Sequence, residues 1–92
     1  MNLSKYRQEI DEIDEQLLEL LNKRACVSLK IAREKFDNRI RVDVSSREQE
    51  IFANLGQKNQ GPLREHHVRE IFTAIISTSK SLQRLYQSFD DI

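Results

Sequence analysis

Arg24 occupies a position that should belong to an apolar side chain. From Leu3 the apolar residues recur at Tyr6, Ile10, Ile13, Leu17 and Leu20, then again at Val27 and Ile31, in alternating steps of three and four. That rhythm marks one face of a helix, and Arg24 stands on its missing beat. Lys35 comes eleven residues later. At roughly 100° per residue it lies about 20° past three full turns, so the two cations share a face with Cα atoms about 16 Å apart. A buried cation without an anionic partner is very costly. The acids of this segment lie mostly before Arg24, and little in the sequence is placed to neutralise Lys35. A bound anion is a natural solution. The plainer reading is that Lys35 snorkels to solvent.

A second polar interruption lies near the C-terminus. The stripe Phe72, Ile76, Ser79, Gln83, Tyr86 has two polar members in its middle. Ser79 and Gln83 are four apart, one turn on the same face, either at the solvent edge of the stripe or turned toward a ligand. Arg7 points about 100° away from Arg24 on the same helix. It cannot easily serve the same site in its own chain. In an antiparallel dimer the partner's Arg7 could; alone, it reaches solvent.

The elements that must position these residues are helical. No Gly or Pro interrupts the segment from Leu3 to Phe36, Ser4 is a candidate N-cap, and Asp37-Asn38 is a fitting stop. A second helix is expected over Ser46 to Leu55, with Ser46 and Gln49, or Ser45 and Glu48, as a capping box. Between these helices, residues 37 to 46 read as a loop. Gly56 to Pro62 reads as a turn-rich connection, and a third helix starts near Pro62, which suits a first turn. It carries the ladder Val68, Ile71, Ile75, Thr78, Leu82, Leu85, Phe89. The fold class is all-α, with three helices per chain and one of them very long. About 33 residues span roughly 50 Å, whereas a compact chain of this size is only about 32 Å across. A second copy must cover the stripe, so an intertwined helical homodimer is expected.

Composition narrows the classes of function. The 92 residues allow one domain, spanning 1–92. Lys plus Arg and Asp plus Glu number 15 each, a formal net charge of zero. That argues against a general nucleic-acid or membrane binder. The basic run Lys30, Arg33, Lys35, Arg39, Arg41 is broken by Glu34 and Asp37. Acids gather in residues 8 to 22 and bases in 23 to 41, an order that suits the macrodipole of one long helix. Cys26 is alone, so no disulfide framework or metal spacing exists. It reads as a small core residue in a reducing compartment. His66-His67 lacks a second ligand pair and reads as an exposed helix start. No apolar run approaches a membrane span, and the N-terminus lacks a signal peptide's apolar segment. A soluble cytoplasmic protein is expected.

Taken together, these residues carry a resemblance. R-x-x-I-D-x-I-D-x-x-L-L-x-L-L-N-x-R from Arg7 to Arg24, then Lys35, the pair Arg47-Glu48, GPL at 61–63 and I-I-x-x-S-x-x-x-Q at 75–83 resemble the all-helical AroQ class of chorismate mutases. The resemblance covers about Leu3 to Tyr86. It implies three helices per chain in an intertwined dimer, with two active sites that each borrow one arginine from the other chain. It also implies the conversion of chorismate to prephenate, a [3,3] rearrangement in aromatic amino-acid biosynthesis. The substrate is a small dianion, and no cofactor or metal is needed.

The same resemblance assigns roles. Arg24 and the partner chain's Arg7 would clamp carboxylates bidentately, with Ser79 adding a hydroxyl donor. Lys35 and Gln83 would aim N–H donors at the ether oxygen. Glu48 would accept from the ring hydroxyl, and Arg47 would hold the loop or reach the substrate's charge. Val27, Ile31 and Ile76 would form a water-excluding wall. One departure touches substrate choice. Where the family often has Asp-Pro-x-Arg-Glu, this chain has Val44-Ser45-Ser46-Arg47-Glu48, with Asp43 one residue early. The alternatives are the same fold acting on 4-amino-4-deoxychorismate or isochorismate, and a non-catalytic helical dimerisation module. The module would carry apolar residues at 24, 79 and 83.

Overall fold

The computed structural model describes residues 1–39 and 45–90, without the side chains of 45 and 86–90. The described residues form three helices: α1 (Leu3–Asp37), α2 (Ser45–Lys58) and α3 (Glu65–Asp90). The expectations placed on Arg41, on Asp43 and Val44, on the cap by Ser45, and on the side chains of Tyr86 and Phe89 lie outside what is described.

Helix α1 runs 35 residues, about 52 Å at 1.5 Å per residue. Its start corrects the sequence reading. Asn2, not Ser4, is the N-cap, and it makes no side-chain cap bond. The helix instead opens on backbone alone, Tyr6 N–H donating to the Asn2 carbonyl at 3.0 Å. Its end falls at the expected place. The Asn38 backbone N–H and Nδ2 both donate to the Glu34 carbonyl, at 3.1 and 2.7 Å. Arg39 then takes φ 57, the left-handed turn that commonly follows a helix.

Helix α2 is longer than its sequence signals suggested. It passes through Gly56, which was expected to open the connection, and stops at Lys58. Asn59 makes the break. Its Nδ2 donates to the Leu63 carbonyl at 2.7 Å, and its Oδ1 accepts from Gly61 N–H at 3.0 Å, an Asx turn. Gly61 has φ +82 and precedes a cis bond to Pro62. Pro62 therefore lies in the turn, and α3 begins at Glu65 rather than near the proline. His67 Nδ1 accepts from Arg64 N–H at 3.0 Å, the backward half of a capping box with histidine in place of Glu or Gln.

Helix α3 is the middle element, in contact with both others. Arg24 meets Ser79 and Ser28 meets Gln83, a constant separation of 55 residues, so α1 and α3 run parallel. Glu48 meets Lys80 while Phe52 stacks with Arg69, 4.9 Å from guanidinium carbon to ring centre, so α2 runs antiparallel to α3.

The single chain has little core of its own. Only Ala32, Val68 and Ile76 are buried apolar residues among those described, joined by Ser28 and Gln83. The α1 ladder from Leu3 to Leu20, with Val27 and Ile31, remains 45–60% exposed. On α3 the interrupted stripe faces inward, with Ile76 and Gln83 buried, while Ile71 and Leu85 of the uninterrupted ladder stay exposed. Cys26, expected in the core, is exposed, because it lies on the part of α1 that α3 does not cover. The radius of gyration is 16.5 Å and the extents are 57 × 28 × 15 Å, against about 12 Å for a compact chain of this length.

Candidate active site

The three helices converge on one cleft of about 230 Å³. From α1 come Arg24, Val27, Ser28, Ile31 and Lys35, which the helical repeat places on one strip. The first turns of α2 give Arg47, Glu48 and Ile51, and α3 gives Ile76, Ser79, Lys80 and Gln83. Six of the seven residues singled out in the sequence thus line one hollow. The seventh, Arg7, is exposed and lies 17 positions before Arg24, about 25 Å along the helix, outside the cleft of its own chain.

Arg24 is half-buried and held in place. Its Nη1 donates to Ser79 Oγ at 2.6 Å, and that hydroxyl gives its own proton to the Ile75 carbonyl at 3.1 Å. Ser79, expected to donate to a ligand, here orients the guanidinium. Four of Arg24's five donors are left for other partners. Gln83 Nε2 donates to the Ser28 carbonyl at 2.9 Å. That bond fixes the amide's orientation and leaves its second N–H for a ligand.

The charge balance is one-sided. Arg24, Lys35, Arg47 and Lys80 carry four positive charges against the single negative charge of Glu48. Arg47 reaches outward to Glu50 at 3.2 Å. Glu48 Oε1 forms an ion pair with Lys80 Nζ, without hydrogen-bond geometry. Among the described residues, neither Arg24 nor Lys35 has a carboxylate within ion-pair distance. An apolar wall of Val27, Ile31, Ile51 and Ile76 lies beside these cations. The arrangement suits a small, compact, doubly negative ligand with one hydroxyl. No group of three His, Cys, Asp or Glu side chains able to hold a metal occurs among the described residues.

Three lining residues were passed over in the sequence: Ser28, Ile51 and Lys80. Each had a signal. Ser28 is four after Arg24 and Ile51 three after Glu48, while Lys80 sits four after Ile76 and three before Gln83. All are helical same-face spacings. Lys80 was overlooked because a lysine beside a serine-rich segment reads as surface.

The sequence model of a family described as chorismate mutase type II matches residues 6–84. Among curated proteins, a bifunctional chorismate mutase/prephenate dehydratase of Aquifex aeolicus (strain VF5) is 35% identical over 92 residues, covering 91% of this chain. The chain spans 25% of that relative's length. Among solved structures, form II of a chorismate mutase from Thermus thermophilus superimposes with TM-score 0.89 at 26% identity, over 91% of this chain and 96% of that one. A chorismate mutase from Helicobacter pylori in complex with prephenate gives TM-score 0.87 at 31% identity, over 94% and 93%.

Proposed function

Because the chain belongs to the chorismate mutase type II family, we propose that it rearranges chorismate to prephenate. We read residues 1–92 as one catalytic domain, working in the cytoplasm as an intertwined homodimer, without nucleic-acid or membrane partners. The observation that carries the reading is the pair of half-buried cations, Arg24 and Lys35, in one cleft, neither with a carboxylate of the described residues within ion-pair distance. A doubly negative substrate supplies the missing partners.

The reaction breaks the C–O bond of the enolpyruvyl ether and forms a C–C bond to the ring in one cyclic shift of electrons. No proton is transferred and no nucleophile attacks. Two tasks remain for the protein: holding a chair-like conformer, and aiming donors at the ether oxygen, where negative charge builds as its bond breaks. Arg24, oriented by Ser79, grips one carboxylate bidentately. Arg7 of the partner subunit grips the other, which would close the exposed side of the cleft. Lys35 and the free N–H of Gln83 address the ether oxygen. Glu48 accepts from the ring hydroxyl, and Arg47 holds the loop or reaches the substrate's charge. The isoleucines and Val27 exclude water, which strengthens each of these interactions.

Following the loss of chorismate absorbance with purified protein tests this reading. The wild-type chain should turn substrate over. Arg24→Ala and Lys35→Ala should each lose about 10²–10³-fold in kcat, on the scale of one missing donor to developing charge. Near-full activity in either variant would refute the assignment.

A further inference from the structure

Glu48 and Lys80 form a buried-side ion pair that the rearrangement itself does not require. Their side chains are 29% and 34% exposed. Glu48 Oε1 is turned fully inward against the lysine, and among the described residues the Glu48 side chain has no other ion pair and no hydrogen bond. Its position in the first turn of α2 adds the positive end of the helix dipole. The carboxylate's charge is therefore already answered from inside the protein.

Resting on the chorismate reading above, we propose that Lys80 is a positioning residue for Glu48 and sets the pocket's preference for a ring hydroxyl over a ring ammonium. A neutral hydroxyl needs an acceptor lone pair, which the second carboxylate oxygen supplies without any unbalanced charge. The 4-amino analogue of chorismate presents an alkyl amine, which is cationic near neutral pH. An ammonium gains most from a carboxylate whose charge is free. Here Lys80 has neutralised that charge, and Arg24, Lys35 and Arg47 add further repulsion around the same cleft. Discrimination by an unfavourable charge placed against the wrong ligand is a general device of specific sites.

The test compares kcat/KM for chorismate and for its 4-amino analogue in the wild-type chain, in Lys80→Met and in Lys80→Arg. The wild type should favour chorismate. Lys80→Met should narrow that ratio about tenfold, since it frees the Glu48 charge for the ammonium. On chorismate its loss should fall mainly on KM, because a contact made equally before and during bond breaking is lost. Lys80→Arg, which keeps the ion pair, should keep the wild-type ratio. If Lys80→Met lowers both substrates together and leaves the ratio unchanged, the lysine is merely structural and the proposal is overturned. A wild-type ratio favouring the amino analogue overturns it as well. Turnover of neither substrate by the wild type would instead bring down the chorismate reading, and this inference with it.

Discussion

Arg24 and Gln83 show how one residue position is decided by chemistry rather than by packing. Each sits where the helical pattern asks for an apolar side chain, and each is fixed by a bond to the opposite helix, Ser79 for one and the Ser28 carbonyl for the other. An amide donates at any pH, so kcat/KM should be flat from roughly pH 5 to 8. Gln83→Glu changes the sign of the argument. An ionised glutamate would face the Ser28 carbonyl and a dianion, and only its protonated form can donate. The variant's kcat/KM should therefore rise as pH falls, whereas the wild type stays level. A variant profile as flat as the wild type would contradict the donor role. Arg24, Ser79 and Gln83 were legible in the sequence because polar residues on an apolar beat stand out, Lys35 because it shares a face with Arg24, and Arg47 and Glu48 only through the family resemblance. Lys80 was not, since its same-face spacing from Ile76 and Gln83 gains meaning only once the opposing Glu48 is in view.

At the scale of the element, helix identity was legible and helix ends were less so. The long apolar rhythm of α1 has no competing interpretation, and Asn38 stops it by satisfying the Glu34 carbonyl. The misreadings came from single residues weighed too heavily. Ser4 could cap, yet the backbone of Asn2 opens the helix two residues sooner. Gly56 lowers helix propensity by only about 1 kcal/mol, which the packing of α2 on α3 overrides. The true stop is Asn59, whose side chain ties down the turn ahead of Gly61. Gly56 has ordinary helical geometry, and a β-carbon added there would meet nothing within 4 Å, whereas Gly61 has φ +82. Gly56→Ala should therefore raise stability by about 0.4–1 kcal/mol, chiefly by restricting the unfolded chain. Thermal melting would show a higher Tm for Gly56→Ala and a lower one for Gly61→Ala. A lower Tm for Gly56→Ala would mean that α2 does not continue through this position.

For the whole molecule, the shape carries the argument. A chain with three buried apolar residues among those described and a 57 Å long axis buries too little to stand alone, since small domains are marginal even when compact. In the proposed homodimer, the exposed ladder from Leu3 to Leu20 is the surface that a second copy covers. In that proposed dimer the same contact brings an N-terminal half, with Arg7, to the exposed side of the partner's cleft. That α1 outruns what its own chain can cover was legible in advance, from chain length set against helix length. Which face of α3 turns inward was not, because both stripes are apolar enough to pack until Arg24 and Gln83 choose their partners.

The most direct test of the shared site is complementation between two inactive chains. In the proposed dimer, Arg7→Ala and Arg24→Ala each leave every site of their own homodimer without one of its two carboxylate-gripping arginines. Mixed and allowed to exchange subunits, they form dimers in which one site has both arginines and the other has neither. Random reassortment should then restore about a quarter of the wild-type sites, read as recovery of chorismate turnover after mixing. Activity that stays at the mean of the two separate variants would show that Arg7 and Arg24 do not meet across the interface.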